Sequence, residues 1–159
     1  MKVNIYTDGS SKGNPGCGGY GVVLLYEGHR KEVSDGFRLT TNNRMELLAV
    51  IVGLEALKSF NKNIVIYSDS KYVVNAVEKK WLFNWEKNDF NKKKNKDLWL
   101  RFLKIYRKHS VRFIWIKGHS KIVENERCDF LAVQASERKN LKIDEYYENS
   151  IKQKPSTLF

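Results

Sequence analysis

The apolar positions of this chain fall in blocks whose period switches between that of a strand and that of a helix. Lys2–Tyr6 predicts a first strand, ending at Thr7-Asp8-Gly9. "GYGVVLLYEGHRKEVSDGFRL" predicts two further strands joined by a tight turn at Glu27-Gly28. "TTNNRMELLAVIVGLEALKSF" predicts a long helix. Met45, Leu48, Ala49, Val52 and Ala56 share one stripe of it, and Leu47, Ile51 and Leu54 make a second, so other elements must wrap it. "NIVIYSDS" is a fourth, β-branched strand, followed by a helix from about Ser70 to Glu78. A further helix lies around "KDLWLRFLKIYRKH", and a fifth strand at "SVRFIWI". After the loop "KGHSKIVE", a last helix starts near Asn125 and buries Cys128, Leu131, Ala132 and Ala135. From Asn140 onward the pattern fades, and residues 140–159 are expected to be a loosely held tail.

This order predicts an α/β fold with a five-stranded mixed sheet, its first three strands antiparallel, flanked by helices. The helical crossover between the hairpin and the fourth strand makes strands one and four parallel neighbours. Sites in such sheets lie beyond the C-terminal ends of the strands. Asp8 and Asp69 each follow one of those two strands, so they meet at one sheet edge. Glu46 falls in the first turn of the wrapped helix and Asp129 in the first turn of the last one. Four converging carboxylates with no matching Lys or Arg repel one another, and a hard divalent cation such as Mg²⁺ or Mn²⁺ resolves that conflict. Each acid also has an ordinary explanation. Asp8 and Asp69 suit strand-end turns, Glu46 fits a capping box opened by Asn43, and Asp129 favours a helix N-terminus.

Composition adds a partner. The 159 residues are 42% apolar, enough for one domain with a core. No apolar run approaches the length of a membrane span. The first ten residues lack the hydrophobic segment of a secretory signal, and a cytoplasmic protein is expected. Cys17 and Cys128 stand too far apart in sequence to suggest a metal knuckle. Twenty-nine Lys and Arg against eighteen Asp and Glu leave a net charge of +11, which suits a polyanion. A lysine-rich composition without functional meaning would scatter the cations. Instead "KKWLFNWEKNDFNKKKNK", Lys79 to Lys96, carries seven lysines and two acids, with Trp81, Phe83, Trp85 and Phe90 interleaved. Aromatics among lysines suit a groove that follows a nucleic-acid backbone, although Trp81 and Trp85, four apart, also fit one face of a short helix.

Gly16-Cys17-Gly18-Gly19-Tyr20-Gly21 matches G-x-G-x-x-G, but it runs into a strand rather than a helix. It therefore lacks the helix N-terminus that a dinucleotide site needs. The glycines are expected to turn the chain from the first strand into the second and to admit a nucleic-acid backbone.

"YTDGSSKGNPGCGGYG", "TTNNRMELLAVIVGLEAL", "YSDSKYV" and "IKGHSKIVENERCDFLA" resemble bacterial ribonuclease HI, in order and with matching spacing from about Val3 to about Ala135. The resemblance implies a ribonuclease H-like fold over residues 1–139, with the basic segment at about 79–96 as the family's protruding handle. It implies an endonuclease that cuts the RNA strand of an RNA–DNA hybrid with two Mg²⁺ ions, leaving 5′-phosphate and 3′-hydroxyl ends. On that basis Asp8, Glu46, Asp69 and Asp129 are the metal ligands and His119 the catalytic histidine. Ser11, Asn14, Asn42, Asn43 and Arg44 lie in motifs that contact substrate, and Thr41 is placed to hold a DNA phosphate. Trp81 and Trp85, with Lys92, Lys93 and Lys94, would carry the DNA strand. The sequence departs from the pattern at Lys71, where Gln is usual, at Ser11, where Cys is common, at Phe90, where Trp is usual, in a shorter handle, and at Lys121-Ile122-Val123 after His119. Asn42 and Asn43 also fit helix-cap roles. A monomer with no membrane partner is expected.

Overall fold

The computed structural model describes residues 2–152. Strands β1 (Lys2–Lys12), β2 (Gly16–Tyr26) and β3 (His29–Thr40) are followed by helix α1 (Asn42–Glu55) and strand β4 (Asn63–Ser68). Helices α2 (Lys71–Glu78), α3 (Trp81–Lys87) and α4 (Lys96–Tyr106) lead to strand β5 (Ser110–Trp115). Helices α5 (Val123–Ser136) and α6 (Glu145–Lys152) complete the described chain. The sheet order is β3-β2-β1-β4-β5; β1 is antiparallel to β2 and parallel to β4, as the helical crossover requires.

α1 is buried on nearly every side because it lies between the sheet and α4, with Met45, Leu47, Ile51 and Leu54 fully enclosed. Ile5, Val22, Ile66, Trp99 and Phe102 join it in the main core. α5 covers the other face of β1, β2 and β3 with a smaller cluster around Val23, Cys128 and Leu131.

Three element boundaries differ from the sequence expectation. β1 runs on to Lys12, so Asp8 lies inside the strand, paired opposite Gly21, rather than just beyond its end. α5 begins at Val123, which places Asp129 near the end of its second turn and removes the helix N-terminus as its reason. The glycines of the G-x-G-x-x-G match do not turn the chain, because Gly16 to Gly21 all belong to β2. A Cβ at Gly19 would lie 2.4 Å from the Ala132 carbonyl oxygen, and one at Gly21 2.3 Å from that of Cys128. Both glycines let the α5 backbone lie directly on the sheet.

The expected loose tail is in fact anchored as far as Lys152. Lys142 pairs with the edge of β3 beside Phe37, donating to the Gly36 carbonyl and accepting from the Arg38 amide. Arg38 holds Glu148 through two bonds of 2.9 and 2.8 Å, and Thr40 donates to Asp144 at 2.8 Å. The open edge of β3 supplies unpaired backbone groups, and this short segment satisfies some of them. The remainder of the expected tail, residues 153–159, lies outside the described residues.

Candidate active site

The register of β1 on β4 sets Tyr6 opposite Tyr67, and two residues further on it brings Asp8 beside Asp69. Glu46 joins them from the second turn of α1. Thr41 caps that helix, its hydroxyl accepting the Arg44 amide at 3.2 Å, so Asn43 opens no capping box and Glu46 is free of that role. The Gly9 amide donates instead to Glu46 Oε1 at 3.0 Å and to Asp8 Oδ1 at 2.9 Å. A Cβ on Gly9 would stand 2.3 Å from the Glu46 nitrogen; only glycine lets α1 come this close to β1.

Asp8, Glu46 and Asp69 each place a carboxylate oxygen within 4.8 Å of the others. Asp8 is 5% and Glu46 4% exposed. Among the described residues, no Lys or Arg forms an ion pair with any of the three, and Glu46 Oε2 is buried without a partner. Burial, followed by the charges of Asp69 and Asp129, pushes Asp8 up to about 8, against the hydrogen bonds it accepts. Glu46 is raised by burial and then by Asp8; Asp69 is raised chiefly by burial. An unneutralised cluster with a spare buried oxygen has the donor chemistry of a Mg²⁺ or Mn²⁺ site.

Asp129 does not stand inside that trio but groups with His119 and Glu126, again within 4.8 Å. Its charge still reaches Asp8 and Asp69. His119 sits on the loop after β5, where Gly118 presses on Asp69: a Cβ there would be 2.8 Å from Asp69 Oδ2. Glu126 escapes a motif-based reading, although its place three residues before Asp129 on one helix face marks it. Asn125 escapes it too. It is 2% exposed, with an amide nitrogen lacking a partner at hydrogen-bonding distance, yet it lies near enough to Asp69 to favour that carboxylate's charge.

The family model for RNase H matches residues 1–137. The chain belongs to the RNase H family. The Ribonuclease H of Desulforamulus reducens is 58% identical over 148 residues, covering 90% of this chain and 92% of that protein. A solved type 1 RNase H with the type 2 active-site motif superposes with a TM-score of 0.76 at 31% identity, over 85% of this chain and 72% of that one. An RNase H1 solved in complex with an RNA/DNA hybrid gives a TM-score of 0.65 at 26% identity, over 91% of this chain and 99% of that one.

The other residues that the RNase H resemblance singles out divide into those facing outward and those that do not. Asn42 and Asn43 are exposed at the start of α1, and Asn14 Oδ1 accepts the Asn42 amide at 3.1 Å. Ser11, next to last in β1, is half-buried, and Thr41 faces the same recess as Asn14. Lys71 opens α2 with its ammonium 5.0 Å from the Trp115 ring centre. In the handle, Trp81 is 45% exposed beneath Lys79. Trp85 is half-buried edge-on to Trp99, with Lys93 over its ring. Lys92, Lys93 and Lys94 are all exposed. Phe90, read with the groove aromatics, is instead a core residue at 4% exposure.

Arg44 is the clear correction. It is 3% exposed, donates to Asp144 at 2.7 and 2.9 Å and to Asp97 at 2.9 and 2.7 Å, and reaches Asn95 at 3.3 Å. Those partners engage its guanidinium fully, so it has nothing to offer a substrate. Burial opposes its charge, and the two carboxylates more than compensate.

Proposed function

We propose that this chain is a divalent-metal-dependent endoribonuclease that hydrolyses the RNA strand of RNA–DNA hybrids and leaves 5′-phosphate and 3′-hydroxyl ends. The observation that carries the proposal is the trio Asp8, Glu46 and Asp69, buried, unneutralised and with Glu46 Oε2 unpartnered, in a chain of net charge +11. A protein that only binds nucleic acid gains nothing from placing acids where they repel a phosphate. The similarity to an RNase H1 solved in complex with an RNA/DNA hybrid supports the substrate.

Two Mg²⁺ ions would be held by Asp8 together with Glu46, Asp69 and Asp129, Mn²⁺ being a possible substitute. When bound, such ions lower the pKa of an attacking water and neutralise the leaving 3′-oxygen. The chain's own residues do the rest. The Gly9 amide fixes the orientation of Glu46 and Asp8. His119, on its exposed loop, moves a proton or assists product departure. Asn42 and Asn43 offer short donors and acceptors to the 2′-hydroxyls that distinguish RNA from DNA. Ser11, Asn14 and Lys71 line the approach, and Thr41 holds a DNA phosphate. Trp81 and Trp85 offer ring faces to the DNA strand, and Lys92, Lys93 and Lys94 neutralise its backbone.

The test offers the protein labelled hybrid, duplex DNA and single-stranded RNA with Mg²⁺. Cleavage confined to hybrid supports the proposal. Equal cutting of all three, or of none, rejects it.

A further inference from the structure

At the head of α1, whose second turn carries Glu46, lies a recess of about 420 Å³ lined in part by Thr41, Asn43 and Arg44. Asn14 and Thr41 form one wall, Lys93 and Lys94 the second, and Tyr147 and Ser150 of α6 the third. It shares Asn43, Lys93, Lys94 and Asn95 with a second recess of about 400 Å³ that runs under Trp81 and Trp85. The two are therefore parts of one groove that continues past the handle to the C-terminal helix.

The lining selects the occupant by charge. Lys93 and Lys94 contribute free cations, Arg44 being neutralised by its own carboxylate partners, and no carboxylate lines the first recess among the described residues. The acids at this end of the chain do not line it: Asp144, just before α6, engages Arg44 and Thr40, Glu148 engages Arg38, and Glu145 lines a different recess. Tyr147 and Ser150 line the groove side, and Ser150 is exposed there, its hydroxyl donating to the Tyr147 carbonyl at 2.6 Å. An extended polyanion fits this lining. If the RNA strand lies across Asp8, Glu46 and Asp69, the strand that reaches the recess is the other one, because none of those three acids lines it.

We propose that α6 is the third wall of the groove for the DNA strand of the hybrid, setting Tyr147 and Ser150 against a backbone phosphate neutralised by Lys93 and Lys94. This rests on the reading of the acid cluster as the hybrid-cleaving site. It gives residues 140–152 a part in binding substrate as well as in holding the fold.

The experiment measures hybrid affinity by fluorescence anisotropy, without divalent ions so that nothing is cut. It compares the native chain with Ser150→Glu, Ser150→Ala and Asn149→Glu, after equal thermal midpoints confirm that each is folded. Hybrids carry one neutral methylphosphonate linkage, moved along either strand. A carboxylate at position 150 is expected to weaken binding about tenfold by facing a phosphate. Ser150→Ala and Asn149→Glu should stay within about threefold of native. One methylphosphonate in the DNA strand should erase the Ser150→Glu penalty. The proposal is overturned if Ser150→Glu binds like native, if Asn149→Glu loses as much, if the penalty survives every DNA-strand substitution, or if an RNA-strand substitution erases it. Native protein that binds hybrid but never cuts it with Mg²⁺ refutes the reading of the acid cluster, a result separate from these affinities.

Discussion

Glu46 accepts the backbone amide of Gly9 at 3.0 Å across 37 residues of sequence, while its second oxygen, Oε2, is buried with no partner. The contact exists because Gly9 has no side chain to hold α1 off the strand. One oxygen of Glu46 is thereby fixed by the fold and the other is left for a ligand.

Gly9→Ala should therefore disturb structure and chemistry together. Its methyl group must displace the first turns of α1, at a cost of about 1–3 kcal/mol. Cleavage of hybrid should fall more steeply than stability, because Glu46 loses its orientation. Glu46→Gln should abolish turnover without lowering the unfolding temperature of the metal-free protein. Chemical denaturation and hybrid turnover, measured side by side, check both variants.

The raised carboxyl groups make the metal-free protein sensitive to pH in a stated direction. Folded Asp8 keeps its proton up to about 8, whereas the unfolded chain releases it near 3.8. Between those values the folded state binds more protons, so stability falls as pH rises. Metal-free protein should lose thermal stability from about pH 5 to 8, a range above the lowered carboxylates such as Glu32. Asp8→Asn should flatten that slope and raise the midpoint near pH 8 by about 3 °C or more. Mg²⁺ should stabilise native protein more at pH 8 than at pH 5. Differential scanning fluorimetry with and without EDTA reads all three.

Arg44 belongs to the fold's stability and should behave so. Arg44→Ala leaves the buried Asp144 and the half-buried Asp97 without their cation, at a cost of about 3 kcal/mol. Arg44→Lys should recover only part of this, since one ammonium cannot reproduce two forked pairs. The salt dependence of hybrid binding by folded Arg44→Lys should match that of the native chain. A shallower slope would show that Arg44 does contact phosphate.

The handle lysines should act in the opposite manner. Replacing Lys92, Lys93 and Lys94 by Ala should leave unfolding unchanged, since all three are exposed. Hybrid affinity should drop, and each lost phosphate contact should lower the slope of log K against log salt by about 0.9. Affinity measured across a salt series decides it, and an unchanged slope would mean that the handle makes no phosphate contacts.

The sequence made the acid cluster legible because strand order and register need only local patterns. β-branched runs mark β1 and β4, and once a helical crossover makes them parallel, Asp8 and Asp69 must approach. The fate of Arg44 was not legible, since it depends on Asp144, 100 residues further along the chain, in a segment whose apolar pattern is weak. Gly19 and Gly21 look like turn glycines in isolation; only the nearness of the α5 backbone reveals their task. Glu126 and Asn125 belong to the same helix as Asp129, but no motif separates them from solvent-facing polar neighbours until α5 is laid against the sheet.

The central claim is tested most directly by following both strands of one labelled hybrid while Mg²⁺ is added and then removed with EDTA. The account predicts RNA fragments with 5′-phosphate and 3′-hydroxyl ends, an intact DNA strand, and no cutting once the ion is chelated. A nicked DNA strand, or RNA cleavage that persists without a divalent ion, would contradict it.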